Sequence, residues 1–337
     1  MLILLVTSPR VAPGLLTLQA WDALRGAARV LAPAGHPQLP ALAQAGITAD
    51  VVDAPEAEVA GRLADAAAAA DGPVVWLAGP PAHPGGASTV SALRAALDDA
   101  GVPAEVLRGS ADLPGARLLD LVATMAVLRA ECPWDAKQTH ESLAPHLLEE
   151  PYEALEALEN GDDRALREEL GDVLLQVLFH AEVASERDDG TGYTIDDVAD
   201  GIVAKLVRRH PHVFADVAVS GADEVKLNWD QIKKAERAQR MEPGAAPASA
   251  LDGVPFGQPA LSLATQLQRR AARAGLPDDL LTEPGEPGGS LGERLFALVA
   301  TARAADLDPE LALRAAARRY RDRVHAWERS PTAHRPA

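Results

Sequence analysis

Cysteine, aromatic residues and long apolar runs are all scarce in this chain of 337 residues. The single cysteine, Cys132, excludes an intramolecular disulfide and favours a reducing compartment. The chain opens with MLILLVTSPR, in which only five apolar residues follow Met1 and no basic segment precedes them. That run is too short for a signal peptide or a membrane span, and no other run approaches the length of a span. We therefore expect a soluble, cytoplasmic protein.

Basic residues are also outnumbered, with 32 Lys and Arg against 49 Asp and Glu and a net charge of −17. A chain of this charge does not attract a phosphate backbone or anionic lipids, so neither a nucleic-acid polymer nor a membrane is expected as a partner. A small polyphosphate still fits if a metal ion screens its charge. The length allows two or three domains and a substantial core.

Short apolar segments alternate with helical patterns over about the first 110 residues. Alternation of this kind is typical of a parallel α/β sheet, and it stops at residues 111–115, where we predict a domain boundary. The predicted strands are residues 2–6, 30–32, 49–52, 73–78 and 104–107, and the predicted helices are residues 16–28, 39–45, 56–70 and 88–100.

Four carboxylates in the middle of the chain are spaced symmetrically about Gly161. Glu150 and Glu153 lie three residues apart before that glycine, and Glu169 and Asp172 lie three residues apart after it. This spacing puts both carboxylates of a pair on one side of a helix. Gly161 suits the end of a helix, and the inner and outer acids lie 8 and 11 residues from it on each side. An antiparallel helical hairpin would therefore bring the four carboxylates to one patch.

Such a run of acids is most often a solvated helix face, but two observations favour a binding site. Residues 141–172 contain eleven acids and only two basic residues, whereas a solvated face normally interleaves basic residues. Glu150 also falls inside the predicted apolar stripe of its helix, where a carboxylate is costly unless it is paired or bound to a cation. Oxygen ligands favour Mg²⁺ or Mn²⁺ over zinc. The predicted stripes are Leu143, Leu147, Ala154 and Leu158 on the first helix, and Leu166, Leu170, Val173, Val177 and Ala181 on the second.

Further helices are predicted at residues 116–130, 194–209 and 224–240, and the first two would complete a bundle around the hairpin. Lys205 and Arg209 are four residues apart on one helix, and Trp229 and Lys233 share the same spacing on the next. These cations are candidates to neutralise phosphates, with Arg208 as a second choice. Trp229 or Trp134 is either a stacking surface for a nucleobase or part of the core.

Five segments of the chain identify a family when they are taken in order: ECPWDAKQTH, LLEEPYEAL, REELGDVLLQVLFHA, KLVRRHPHVF and WDQIKKAER. With them, residues 116–240 resemble the catalytic domain of MazG proteins, which are all-α nucleoside triphosphate pyrophosphohydrolases. The acidic signature of that family matches Glu149, Glu150 and Glu153, followed by Glu169 and Asp172. The resemblance implies that these five acids are catalytic and that all except Glu149 hold Mg²⁺ or Mn²⁺. Glu149 ranks lower because it lies about 100° around the helix from Glu150.

The resemblance further implies that water attacks the α or β phosphorus of a nucleoside triphosphate or deoxynucleoside triphosphate. The products would be a nucleoside monophosphate and pyrophosphate, with a carboxylate orienting the water. Proteins of this family typically act as homodimers, which is the expectation here. The candidate substrate-binding residues are Trp134, Lys137, Lys205, Arg208, Arg209, Trp229 and Lys233.

The segments on either side of this domain resemble degenerate modules. Residues 1–112 resemble the N-terminal half of tetrapyrrole methylases, but the first loop keeps only Gly14 and the second half is missing. We therefore expect a structural or regulatory domain with no methyl transfer. After a linker at residues 242–257, residues 258–330 resemble a second MazG-like helical repeat in which Ser290 replaces Glu169. The predicted architecture is an α/β domain with a Rossmann-like parallel sheet, an all-α catalytic bundle and an all-α non-catalytic repeat.

Several residues point to alternatives. His210 and His212 match a zinc-binding pair, but they flank Pro211 at a helix end, where local hydrogen bonds are expected instead. Cys132 has no nearby general base in the sequence, so a catalytic thiol is not expected. Pro151 would cost a helix about 3 kcal/mol and predicts either a kink or a new helix start beside Glu150. An alternative function for the chain is a non-catalytic helical interaction or regulatory module.

Overall fold

The computed structural model of the chain describes residues 1–79, 90–215, 217–239, 249–277, 280 and 290–329. The chain forms two compact units, Met1–Arg208 and Arg209–Ala337. Residues 242–248 of the predicted linker, residues 88 and 89 of a predicted helix and residue 330 lie outside the described residues. The division into three domains at residues 112, 240 and 258 stays a prediction, as does the resemblance of the first segment to a methylase.

The first unit begins with a sheet of five parallel strands in the order β3-β2-β4-β1-β5, so the predicted α/β fold is confirmed. The central strands read LILLV and VVWLA and are buried on both faces, as expected for a parallel sheet covered by helices. The strands are β1 Leu2–Val6, β2 Arg29–Pro33, β3 Asp50–Val52, β4 Val74–Ala78 and β5 Ala104–Arg108, and the helices are α1 Leu18–Arg25, α2 Leu39–Gln44, α3 Glu56–Ala69 and α4 Val90–Asp99.

Alternate side chains of the sheet supply two separate cores. Leu4 and Trp76 pack with Leu63 of α3 on one face, while Leu5 and Leu77 pack with α1 and α2 on the other. The period of two along each strand divides the apolar residues between the faces.

An arginine in the loop after β1 ties the sheet to the helices that follow. The Arg10 side chain is only 8% exposed and forms ion pairs with Asp112 and Asp120, each at 2.7 Å. Its guanidinium donates two parallel hydrogen bonds to Asp120, from Nε and Nη2. These bonds hold the pKa of Asp120 below its usual value. Asp120 lies on the helix Arg117–Glu131, which is the first helix after the sheet. This ion pair therefore fixes the α/β segment to the helical bundle.

Four helices form the rest of the first unit, and the predicted hairpin is confirmed. The hydroxyl of Thr139 accepts a hydrogen bond from the amide of Ser142, which caps the first hairpin helix. That helix ends at Gly161, which has a left-handed backbone with φ +68°. Asp162 then caps the next helix by accepting bonds from two amides. The helices are α5 Arg117–Glu131, α6 His140–Asn160, α7 Asp163–Ser185 and α8 Ile195–Arg209.

The core of the bundle contains Met125, Leu143, Leu178 and Phe179. The first residue of α8, Ile195, packs against it, so α5 and α8 both contribute to the bundle as predicted.

The structure corrects two points about the hairpin helices. Of the two alternatives predicted at Pro151, the new helix start is wrong, because α6 runs unbroken through Pro145 and Pro151; the kink stays a prediction. The predicted stripes are also only partly buried: Leu147 is 40% exposed, Leu158 60% and Leu170 53%. The physical reason is that the described chain covers only one side of the hairpin. The buried residues are Leu143, Ala154 and Ala157 on α6, and Gln176, Leu178, Phe179, Ala181 and Ala184 on α7.

The second unit is helical. A short helix occupies part of the predicted loop after residue 209, with Pro211 at its first position, where proline is favoured. None of the helices described in either unit combines the length and apolarity needed to cross a bilayer. The helices of this unit are α9 Pro211–Phe214, α10 Ala222–Gln239, α11 Ala260–Arg273, α12 Leu291–Ala304 and α13 Pro309–Glu328.

Candidate metal and nucleotide site

Three of the predicted carboxylates meet between α6 and α7. Glu150, Glu169 and Asp172 each offer one carboxylate oxygen, and these oxygens lie within 4.8 Å of one another. Antiparallel packing about Gly161 produces this arrangement, because residues at equal distances from the turn lie at equal heights on the two helices. Glu153 is not part of the cluster, but its charge contributes to the raised pKa of Glu150 and of Glu169.

Proton affinities in the cluster reflect burial and repulsion between like charges. The pKa of Glu150 is raised, first by burial and then by the charges of Asp172 and Glu153. The pKa of Glu169 is raised for the same reasons, with Glu153 as the largest charge. In the described part of the chain, no lysine or arginine forms a salt bridge with any of the three clustered acids. The cluster therefore carries negative charge that no salt bridge of the described residues neutralises.

These observations fit a hard divalent cation. Carboxylate oxygens without nitrogen or sulfur ligands suit Mg²⁺ or Mn²⁺. A dication would offset both the burial and the repulsion that raise the pKa values of Glu150 and Glu169. Glu149 lies outside the cluster, where its side chain is 62% exposed and 3.8 Å from Nδ1 of His146. Its lower rank as a ligand agrees with this position.

An aromatic side chain stands beside one end of the cluster. The ring of Trp134 lies 6.3 Å from the ring of His146 and 6.3 Å from the ring of Phe179. His146 precedes Glu150 by one helical turn, so this contact places the indole next to the acidic site. Trp134 is 54% exposed, and it is therefore available as a surface for a ring rather than fully packed in the core. Lys137, in the same 3₁₀ turn, is also exposed.

The turn that carries Trp134 and Lys137 is held by an arginine that the sequence reasoning missed. Arg129 is only 11% exposed and donates hydrogen bonds from Nε and Nη2 to Glu186 at 2.6 and 2.8 Å. Its Nη1 donates to the carbonyl oxygens of Asp135 and Gln138. The only sequence signal was its place at the end of a helix before the ECPWD segment. Its partner lies 57 residues away, which spacing alone does not reveal.

The remaining predicted substrate ligands divide between the two units. Lys205 and Arg208 lie exposed on α8 in the first unit. In the second unit, Nη2 of Arg209 lies 2.7 Å from Glu236, and both side chains are largely buried. The guanidinium of Arg209 is thus already engaged. That all of these cations serve one site stays a prediction.

Trp229 and Lys233 do share one helix face, as their spacing predicts. Nζ of Lys233 lies 4.3 Å from the centre of the Trp229 ring, which is a cation–π contact. His210 packs its ring against both His212 and Trp229, with centroid distances of 5.6 and 5.7 Å. The histidine pair therefore has aromatic neighbours at the start of α9.

Comparison with known proteins places the hairpin within a described domain. A family model for the MazG nucleotide pyrophosphohydrolase domain matches residues 138–214, a range that contains all five predicted catalytic acids. The match begins within the turn held by Arg129 and includes α6, α7, α8 and α9.

The similarity to complete proteins extends beyond the segment that the family model matches. An uncharacterized 26.1 kDa protein of Streptomyces cacaoi is 48% identical over 224 residues, which cover 66% of this chain and 88% of that protein. A nucleoside triphosphate pyrophosphohydrolase of Mycolicibacterium smegmatis is 42% identical and is covered over 62% of its length, with 66% of this chain aligned. The nucleoside triphosphate pyrophosphohydrolase/pyrophosphatase MazG of Thermotoga maritima is 38% identical over 62% of this chain and 84% of that protein. The chain therefore belongs to the MazG nucleotide pyrophosphohydrolase family.

Proposed function

We propose that this chain is a Mg²⁺-dependent nucleoside triphosphate pyrophosphohydrolase. It would convert nucleoside or deoxynucleoside triphosphates to the monophosphates and pyrophosphate. The observation that carries this proposal is the cluster of Glu150, Glu169 and Asp172, with oxygens within 4.8 Å of one another, inside the segment that matches the family model. Relatives named as pyrophosphohydrolases support the same reaction.

The acids would divide into ligands and a water-orienting group. Glu150, Glu153, Glu169 and Asp172 would hold Mg²⁺, with Mn²⁺ as a substitute. The bound ion supplies charge neutralisation and polarisation at the phosphates. Glu149 is exposed next to His146, so it is free of the cluster and suited to orient the attacking water. Each of these roles predicts loss of turnover when the carboxylate becomes an amide.

The cationic and aromatic residues would hold the rest of the nucleotide. Trp134 offers an exposed ring beside the cluster, which suits stacking on a nucleobase. Lys137, Lys205 and Arg208 are exposed cations of the same unit and would contact the outer phosphates. Arg209, Trp229 and Lys233 complete the proposed set. The ion pair of Arg209 with Glu236 favours a role in orienting its helix over direct phosphate contact.

We also propose a homodimer built on the bundle. Many large apolar side chains of α6, α7 and α8 are exposed, and contiguous apolar surface on a single chain marks an interface. A second copy is the partner expected for the family, and it would cover the stripe residues that the single chain leaves exposed. Light scattering at micromolar concentration would measure twice the chain mass. The exposed residues include Leu147, Leu148, Leu158, Leu170, Val177, Ile202, Val203, Leu206 and Val207.

The proposed setting is the cytoplasm, because nucleoside triphosphates occur there and the single cysteine suits a reducing compartment. The net charge of −17 supports small anionic substrates over nucleic-acid polymers or anionic membranes.

The test of the proposed function is product analysis. The purified full chain is incubated with each nucleoside and deoxynucleoside triphosphate plus Mg²⁺, and products are separated by anion-exchange chromatography. We expect monophosphate and pyrophosphate in equal amounts, and no reaction in EDTA. Absence of pyrophosphate from every nucleotide would rule the proposal out. Release of orthophosphate and diphosphate would show attack at the γ phosphorus and would also contradict it.

A further inference from the structure

A buried side-chain amide lies one helical turn beyond the acidic cluster, and its oxygen has no hydrogen-bond partner among the described residues. The Gln176 side chain is only 5% exposed, and its Oε1 is buried without a partner among the described residues. A buried amide oxygen in this condition is destabilising, because it has lost its bonds to water and gained none from the protein. A hydrogen-bond donor on a bound molecule could satisfy this oxygen.

The position of Gln176 links it to the site. Glu169, Asp172, Gln176 and Phe179 follow the spacing of one helical face on α7. Gln176 is four residues beyond Asp172, which is about 6 Å along the helix axis. Trp134, the exposed ring beside the cluster, contacts Phe179, which is one turn beyond Gln176. The amide therefore lies between the acids and the aromatic surface.

A second buried polar atom continues this line. His180 follows Gln176 by one turn, and its Nε2 is also buried without a partner in the described part of the chain. The other ring nitrogen, Nδ1, is 2.8 Å from Nδ1 of His140. Burial lowers the pKa of His180 and so favours the neutral ring. Gln176 and His180, on two consecutive turns of α7, thus each have a buried polar atom without a partner among the described residues. Both residues lie beyond Asp172 along α7, on the side of the cluster away from the Gly161 turn.

We infer that Gln176 determines which nucleoside is accepted, with its Oε1 accepting a hydrogen bond from an exocyclic amino group of the nucleobase. This inference rests on the proposed function. A triphosphate held at the carboxylates extends its nucleoside away from them, and Gln176 and Trp134 lie on one such side. A donor that reaches this buried acceptor makes its bond out of water, where the bond is stronger. A nucleotide without that donor leaves the acceptor buried and unsatisfied.

The test compares nucleotides that differ by a single amino group. Suitable pairs are ATP with purine riboside triphosphate, CTP with its 4-deamino analogue, and GTP with ITP. In the wild type, at least one pair should differ about tenfold or more in kcat/KM in favour of the amino-bearing member. In Gln176→Met, which keeps the side-chain length and removes the acceptor, that ratio should fall to about threefold or less, while turnover of the poorer member persists.

Thermal stability separates this role from a structural one. Gln268 is a matched control, because it is 2% exposed but satisfied, donating to the carbonyl of Phe296 at 2.8 Å and accepting from Arg303 at 3.2 Å. Gln268→Met should lower Tm and leave every nucleotide ratio unchanged. Gln176→Met should leave Tm unchanged or raise it, since it removes an unsatisfied group. Gln176→Leu repeats the test with a second shape.

Each outcome is decisive. If the wild type releases no pyrophosphate from any nucleotide, the proposed function fails. If it releases pyrophosphate but no pair differs, or if Gln176→Met keeps the wild-type ratios, the role of Gln176 is overturned. A Gln176→Met protein that loses as much stability as Gln268→Met, or that fails to fold, would assign the amide to the core and would also overturn it.

Discussion

Helices α7 and α12 both contain the pattern Leu-Gly-acid, but the acidic side chain has a different structural role in each helix. In α7 the pattern is Leu170-Gly171-Asp172, and in α12 it is Leu291-Gly292-Glu293. Asp172 lies well inside α7, and its carboxylate joins the cluster with Glu150 and Glu169. Glu293 lies in the first turn of α12, and its carboxylate accepts a hydrogen bond from the amide of Ser290. The distance of the acid from the start of its helix, rather than the local sequence pattern, therefore determines whether the carboxylate joins the acidic cluster or caps the helix.

Ser290 completes this contrast. Its hydroxyl accepts a hydrogen bond from the amide of Glu293 at 3.2 Å, which makes a reciprocal capping box. The residue that replaces Glu169 in the predicted repeat therefore has a structural role of its own. One oxygen of the Glu293 carboxylate is already engaged by a backbone amide, which leaves this carboxylate less able to bind a cation. The non-catalytic nature of this segment remains a prediction, and the following experiments test it.

The largest expected effect comes from neutralising one acid in each helix. Asp172→Asn or Glu169→Gln should lower kcat/KM about a thousandfold or more, because the cation loses a ligand. Glu293→Gln should leave it within about twofold, since the cap lies outside the cluster. Pyrophosphate release measures the effect, and circular dichroism checks that the helices persist. Equal damage from Glu293→Gln would abolish the distinction between the helices.

A smaller effect is expected from the arginines that hold each region together. Arg129→Met releases the turn that carries Trp134 and Lys137, so KM for the nucleotide should rise about tenfold with a smaller change in kcat. Arg303→Met removes the bond to Gln268 at 3.2 Å and should lower stability alone. Steady-state kinetics on both variants makes the comparison. An unchanged KM in Arg129→Met would show that the turn does not serve the site.

The caps themselves predict a modest change in stability. Ser290→Ala and Asp162→Ala each remove the side chain that caps α12 or α7. Each should lower the free energy of unfolding by about 1 kcal/mol. Denaturant titration measures this loss. Only a variant that shifts the cluster should alter turnover, so Ser290→Ala with impaired catalysis would contradict the account.

The smallest expected effect is a pH dependence confined to the cluster. Burial, followed by repulsion from neighbouring acids, raises the folded-state pKa values of Glu150 and Glu169 above their ordinary value. In metal-free protein their contribution to stability is therefore present below the unfolded value and is lost as pH rises through the folded value. In EDTA, Tm of the wild type should fall relative to Glu169→Gln over that interval. Added Mg²⁺ should remove the difference, and a Tm difference independent of pH would disprove the predicted repulsion.

Local rules were enough to predict the hairpin and three of the four acids expected to converge, with Glu153 outside the cluster. The three-residue spacing within each pair and the left-handed Gly161 turn fix the relative heights of Glu150, Glu169 and Asp172. The alternation of strands and helices likewise predicted the sheet, because buried parallel strands carry a continuous apolar signal.

Features that depend on long-range contacts could not be predicted from local sequence patterns. Proline propensity allowed a new helix start at Pro151, but α6 packs along α7 and continues through that proline despite its missing hydrogen bond. Arg129 and Gln176 were missed because their significance depends on what surrounds them in the fold. The apolar stripes were misplaced because a periodic pattern does not show which side a single chain covers.

Titration with Mn²⁺, followed by electron paramagnetic resonance, tests the central claim most directly, because the spectrum of the free ion disappears on binding. The account predicts binding to the wild type, competition by Mg²⁺, unchanged binding to Glu293→Gln, and at least about tenfold weaker binding to Glu169→Gln. Equal binding of Mn²⁺ by the wild type and Glu169→Gln would contradict the assignment of the cluster as the metal site.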